Sequence, residues 1–243
     1  MRKIFIILML SVFSIVTAHP FKSEKELYDY YAEIDKKIFT EKNKPIIRKK
    51  YPRKLTDKEL EQEQIPFSLK RYTVDEIVGN NKLVYNAFNY QLMSISQINE
   101  NNKEEGVIRT FDEDENLISI AYIENSKGVM GIYREYYPWG VLKNETPYYT
   151  SEINGKLKNY YPDGLLKEEY TYYNNKKEGL ATMYYESGQK FAIENYKNDL
   201  KNGDYYMYYE NGTLGMKAFF VNGKREGTIE FYEEDGKKIE KNK

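Results

Sequence analysis

Ten glycines in two registers constrain what this chain can fold into. Gly140, Gly164, Gly188, Gly212 and Gly236 recur every 24 residues, and Gly131, Gly155, Gly179, Gly203 and Gly227 keep the same period nine residues upstream. A fixed period of this length marks a repeat architecture, in which each unit is one supersecondary element that buries its apolar side only against its neighbours. Such an array grows lengthwise, so 243 residues need not divide into compact domains.

Each unit holds a strand of about seven residues, mostly rich in Tyr, then a tight turn, a second strand and a polar loop. Pro162-Asp163-Gly164, Glu210-Asn211-Gly212 and Glu234-Asp235-Gly236 place Asn or Asp before the glycine that supplies a positive φ. The second strand runs, for example, from Leu166 to Tyr172 or from Leu214 to Phe220, and a loop such as Asn174 to Gly179 closes the unit. Each unit therefore reads as a β-hairpin, and the glycines set geometry rather than chemistry. Alternation sends Tyr136, Tyr160, Tyr184, Tyr208 and Tyr232 to one face, and Tyr137, Tyr161, Tyr185 and Tyr209 to the other. If each turn centres between its strands, Leu142, Leu166 and Leu214 join the first row, as do Tyr148, Tyr172, Tyr196 and Phe220, and that face is the packed one. A bulge at a turn reverses the assignment.

The pattern Tyr-Tyr-x-x-Gly-x-Leu, a later aromatic and then Asn-x-Lys-x-x-Gly resembles the MORN repeat variant over about Lys103 to the C-terminus. Bacterial chains of this kind resemble the YwqK-type antitoxin family. The resemblance implies an elongated meander of hairpins used for contacts, and it brings no catalytic residues. The fold class expected is mainly β: a single antiparallel meander of hairpin repeats behind a short helical N-terminal segment. Residues 103–243 form the array, five units in phase and one degenerate, in which Asn116 stands for the turn glycine and Gly106 is one residue out of phase. A bulge or a deletion would explain the slip.

Upstream, residues 1–18 have the three parts of a secretory signal: Arg2 and Lys3, an apolar run from Ile4 to Val16, and small residues at Thr17 and Ala18. Cleavage is expected after Ala18, leaving an exported chain that is periplasmic, surface-held or secreted, with no transmembrane span. Residues 19–70 are helical and linker in pattern. Ser23-Glu24-Lys25-Glu26 reads as a capping box, and Leu27, Tyr31, Ile34 and Ile38 form one helical stripe that packs on the sheet, a partner or a membrane surface. The helix is expected to end near Phe39, and residues 40–54 are a basic stretch with two prolines, a solvated linker or a contact to anionic lipid or glycan. Thr56-Asp57-Lys58-Glu59 begins a second capping box before Pro66. Residues 71–102 switch to extended periodicity and form a β cap of two or three strands.

Little in the sequence speaks for catalysis. There is no cysteine and the single histidine, His19, becomes the mature N-terminus, so the usual zinc sites, His-based triads and thiol nucleophiles are excluded. Asp112 to Asn116 starts like a calcium loop, but Leu117 takes the glycine position and Ile123 that of the bidentate Glu. Lys and Arg number 37 against 38 Asp and Glu, which gives no basic footprint for nucleic acid. No cofactor or metal is expected. Candidate partner-binding residues are Tyr137, Tyr161, Tyr185, Tyr209, Met183, Met207 and Phe231, on the face opposite the packed one; the tyrosines also serve as ordinary cross-strand packing. The leading expectation is a non-enzymatic exported scaffold for protein contacts at the cell envelope. A glycan or cell-wall binding module is the first alternative, although such proteins carry Trp in every repeat and Trp139 is alone here. An antitoxin or immunity-type neutraliser is the second, and an export signal speaks against it.

Overall fold

The structure is a computed structural model, and it describes residues 21–42, 73–86, 92–112, 114–124 and 127–240. The signal segment, His19, the basic linker beyond Lys42 and the second capping box lie outside the described residues; residues 40–42, expected as linker, belong to the helix.

The N-terminal helix, α1 (Glu24–Lys42), begins as its sequence directs. The Glu26 amide donates to Ser23 Oγ at 3.2 Å, while the Glu26 carboxylate reaches back to the Lys22 amide at 2.7 Å. Three strands follow, β1 (Thr73–Val78), β2 (Asn81–Asn86) and β3 (Leu92–Ile98). The first hairpins are β4 (Glu104–Phe111), β5 (Leu117–Glu124), β6 (Gly128–Tyr136) and β7 (Leu142–Tyr149). Next come β8 (Glu152–Ile153), β9 (Gly155–Tyr160), β10 (Leu166–Tyr173), β11 (Lys176–Tyr184) and β12 (Lys190–Lys197). The series ends with β13 (Leu200–Lys201), β14 (Gly203–Tyr208), β15 (Leu214–Val221) and β16 (Lys224–Phe231). All sixteen lie in one open antiparallel sheet in meander order, with the short β8 and β13 pairing β7 and β12. The chain is mainly β, with one described helix.

Two kinds of turn alternate along the sheet. At the first, the Tyr137 amide donates to the Val141 carbonyl and the Gly140 amide to the Tyr137 carbonyl, both at 2.8 Å, with Gly140 left-handed at φ 85°. This is a three-residue loop whose last member sits in the αL region, which explains the 24-residue glycine set. At the second, both loop residues are left-handed: Asn174 and Asn175 at 45° and 64°, Asn198 and Asp199 at 49° and 67°. These are two-residue turns of the mirror-image kind that matches strand twist. The stretch Asn174 to Gly179, expected as a loop, is such a turn followed by a strand. The other glycine set lies at strand irregularities: Tyr170 pairs Ala181 and Tyr172 pairs Lys177, which leaves two extra residues on β11 around Gly179 at φ 87°.

Each second strand also carries a bulge just past its turn. Tyr136 pairs Leu142, but Glu135 pairs Asn144, so Lys143 is extra; Lys167, Phe191 and Gly215 hold the same place downstream. Leu142, Leu166 and Leu214 thus share a face with Tyr136, Tyr160 and Tyr208. Beyond the bulge the alternation reverses, and Tyr148, Tyr172, Tyr196 and Phe220 lie on the opposite face from the one expected. There each faces a glycine of the second set: Gly131, Gly155, Gly179 and Gly203. An aromatic ring opposite a glycine covers the backbone that the glycine leaves bare.

The degenerate unit slips for a different reason from a bulge or a deletion. Asp112 closes on Asn116, and Glu115, not Asn116, holds the place of the turn glycine, left-handed at 61°. The extra residue lies later: Glu124 pairs Gly128 across 125–127, where Tyr173 pairs Lys176 across two.

The helix covers the face of Tyr136 and Tyr160 over the first repeats. Leu27, Tyr31, Ile34 and Ile38 are all buried, and Ile34 and Ile38 pack with Val107, Ile120 and Met130. Polar contacts fix the helix's position. Arg134, 8% exposed, grips both Asp35 oxygens at 2.8 and 2.7 Å and donates to Glu145 at 3.1 Å, and the Tyr160 hydroxyl donates to the same Glu145 at 2.8 Å. Tyr31 donates to the Asn154 carbonyl at 2.8 Å, and Tyr28 accepts the Lys156 amide at 2.9 Å.

Candidate functional site

Both edges of the sheet are stitched from repeat to repeat. On the edge of the three-residue turns, the hydroxyls of Tyr137, Tyr161, Tyr185 and Tyr209 donate to the carbonyls of Tyr160, Tyr184, Tyr208 and Tyr232, at 3.0, 2.8, 2.8 and 2.9 Å. On the other edge, the first turn residue donates its amide to a side chain 20 residues back: Asn174 to Asn154, Asn198 to Glu178 and Asn222 to Asn202. The second turn residue, Asn175 or Asp199, accepts the amide of Ile153 or Lys177 in turn. The four candidate tyrosines are therefore held by their hydroxyls and present only part of their rings, along a rim. Trp139 stacks on Tyr137 at 4.9 Å and stays 61% exposed.

The face away from the helix carries one continuous cross-strand row. In register order it runs Ser119, Glu135, Asn144, Asn159, Glu168, and then Met183, Ala192, Met207, Met216, Phe231. The first half is polar and hydrogen-bonded within itself, as between Asn144 and Asn159 at 2.6 Å and between Asn159 and Glu168 at 2.7 Å. The second half is apolar and half-buried, apart from Ala192 at 1% exposure, which lies low between taller neighbours. The sequence candidates Met183, Met207 and Phe231 fall in this row. Met216 and Ala192 belong to it too and were missed, because the bulges at Gly215 and Phe191 put them there.

Aromatic rings wall the row on both sides. Tyr185 meets Phe191 edge-on at 5.2 Å on one side; Tyr170 meets Tyr196 at 6.3 Å and Tyr205 meets Phe220 at 6.1 Å on the other. Lysines sit over the second wall, Lys177 at 3.8 Å from the Tyr170 ring and Lys201 at 4.8 Å from that of Tyr205. Lys201 also pairs with Glu194 at 2.6 Å, and Glu194 accepts the Tyr196 hydroxyl. Burial, with Glu168 beside Tyr170 and Glu194 beside Tyr196, pushes both phenols well above the ordinary tyrosine range. These rings remain neutral and offer contact area. The arrangement is a firm, amphipathic surface with adaptable methionines at its floor. Among the described residues no group of His, Cys, Asp or Glu has the arrangement of a metal site, and no helix is long and apolar enough to cross a membrane.

No curated protein matches this chain. Among solved structures, a complex of an S. aureus TarM mutant with Fondaparinux, alpha-GlcNAc-glycerol and UDP aligns at 11% identity and a TM-score of 0.18, over 82% of this chain. The alignment spans 27% of the length of that chain, and a likeness this slight carries no argument about fold or activity. The family comparison is specific to the array. Residues 153–175, 177–198 and 201–222, the segment in which the stitched edges and the apolar row meet, match three consecutive units of the MORN repeat variant, a kind of repeat that generally binds proteins or membranes and is generally non-catalytic.

Proposed function

We propose that this chain is an exported, non-catalytic scaffold that binds protein at the cell envelope, and that the contact surface is the sheet face away from α1. One observation carries the reading: the row Met183, Ala192, Met207, Met216 and Phe231 is continuous and half-open, on a sheet braced at both edges. Export rests on the composition of residues 1–18. Methionine and aromatic surfaces of this kind adapt to protein partners, whereas sugar-binding repeats present exposed indole or phenol faces, and here the rim phenols are tied to backbone carbonyls.

The test is affinity capture from envelope extract with the tagged protein and with a Met183→Ser, Met207→Ser, Phe231→Ser variant. Partners captured by the parent and lost by the variant support the reading. An identical set from both proteins refutes the surface. Retention of the parent on purified cell wall in the absence of protein would replace it with the glycan-binding alternative.

A further inference from the structure

The apolar row is flanked by charge of opposite sign on its two sides, in the same 24-residue period. At the three-residue turns, Glu186 follows Tyr185, Glu210 follows Tyr209 and, one unit on, Glu234 follows Glu233. All three are exposed and lie in the loops that Gly188, Gly212 and Gly236 close, at one end of the strands that carry this face. On the opposite side, the residue opposite Tyr172, Tyr196 and Phe220 is Lys177, Lys201 and Arg225. A cation and an anion thus recur together in each of three successive units, on opposite banks of one apolar channel.

We infer that this face pairs with the same face of a second copy of the chain, in a two-fold dimer whose axis lies along the length of the sheet. The inference rests on the reading of this face as a protein-contact surface. Rotation about the long axis keeps the unit order and exchanges the banks. Lys177 of one copy then faces Glu186 of the other, Lys201 faces Glu210 and Arg225 faces Glu234, and the relation repeats in reverse because a two-fold contact is self-complementary. Rotation about the strand direction would instead set glutamates against glutamates, so the charge pattern selects one of the two stackings. The methionine rows then meet at the centre. Strands of the two sheets run nearly aligned, which is how sheets stack face to face at ~10 Å.

The size is adequate for a reversible dimer. Along the path β11, β12, β14, β15 and β16 the face is five strands wide. At ~4.8 Å per strand and ~3.4 Å per residue, it offers on the order of 600 Å² per copy, at the lower end of specific interfaces. The contact is therefore expected to dissociate on dilution. It is also expected to weaken with salt, since its rim pairs are exposed.

Sedimentation velocity on the purified protein over a dilution series tests the inference, using two variants. Glu186→Lys, Glu234→Lys turns the acidic bank basic and keeps Glu210 opposite Lys201. Lys177→Glu, Arg225→Glu makes the other bank acidic and leaves Lys201 with Glu194. Each variant alone is expected to dimerise at least about a hundredfold more weakly, as several exposed pairs at up to ~1 kcal/mol each turn repulsive. An equimolar mixture of the two is expected to recover a dimer of one copy of each. Thermal melts run in parallel distinguish lost pairing from lost folding, and recovery in the mixture requires folded chains. A parent that stays monomeric throughout, variants that dimerise like the parent, or a mixture that stays monomeric each overturns the inference. A monomeric parent that still captures envelope protein through Met183, Met207 and Phe231 overturns the dimer alone and leaves the scaffold reading intact.

Discussion

Changing Tyr137, Tyr161, Tyr185 and Tyr209 together to Phe removes four hydroxyls and leaves every ring in place. Each hydroxyl donates to a carbonyl in the next repeat at 2.8 to 3.0 Å. A neutral hydrogen bond of this kind contributes about 1 kcal/mol net. The carbonyls sit at a half-exposed rim, so water takes the vacated place and no further desolvation cost arises. Successive hydroxyls lie two strands apart, about 10 Å, far enough for the losses to add. The quadruple variant should therefore lose ~4 kcal/mol, a large share of the ~5–15 kcal/mol that holds a typical domain.

The kind of loss matters as much as its size. These bonds join one repeat to the next, so their removal lowers the coupling between units rather than the stability within each. Urea unfolding followed by both fluorescence and far-UV circular dichroism should show an earlier and broader transition, with the two signals separating. Capture of partners at low denaturant should be unchanged, because the rings remain. A quadruple variant as stable as the parent would refute the ladder as a source of stability. Loss of capture at full stability would show that the hydroxyls serve a partner.

Three other perturbations test the helix and the turns. Gly131→Ala forces a side chain into φ 78° and sets a Cβ 2.6 Å from Ile34 Cγ2. It should cost about 3 kcal/mol and speed amide exchange in α1, against about 1–2 kcal/mol for Gly188→Ala, where no atom of the described residues lies within 4 Å. Thr150 holds φ 51° at the place that Asn174, Asn198 and Asn222 hold in later units. Thr150→Asn should therefore raise stability by about 0.5–1 kcal/mol in a thermal melt. Burial lifts Tyr28 from 10.0 to about 12. The unfolded chain then loses its proton first as the solution becomes alkaline, so stability present below pH 10 falls away between pH 10 and about 12. Thermal melts across that window should show a larger loss in the parent than in Tyr28→Phe, and equal losses would remove Tyr28 as the cause.

Much of the architecture was legible because it repeats. The turn glycines, the pairing of Tyr136 with Leu142 and the buried stripe Leu27, Tyr31, Ile34 and Ile38 all follow from spacing. The bulges were not legible, since Lys143, Lys167, Phe191 and Gly215 share no chemistry that marks an extra residue. One unmarked residue was enough to send Tyr148, Tyr172, Tyr196 and Phe220 to the other face. The two-residue turns were partly legible: Asn222-Gly223 is a strong hairpin signal, and reading it in phase would have turned the loop at Asn174-Asn175 into a turn. The second use of the tyrosine doublets was hidden, because a ring fit for cross-strand packing says nothing about where its hydroxyl points.

A single-layer sheet has two faces to account for, and this chain treats its two halves differently. Over the first repeats α1 supplies the second layer, its Ile34 and Ile38 packing on Val107, Ile120 and Met130, and there the opposite face is free to be polar from Ser119 to Glu168. The described helix contacts reach as far as Lys156 in β9. The open-face row changes from Glu168 to Met183 between β10 and β11, soon after that cover ends. Among the described residues, apolar side chains therefore appear on the open face where the helix no longer supplies a layer on the other. Buried apolar area is what stabilises a sheet beyond its ladder bonds. The later repeats thus gain most from a second layer brought by another chain, which ties their recognition to their stability: whatever covers Met183, Met207, Met216 and Phe231 should also raise the melting temperature of the array.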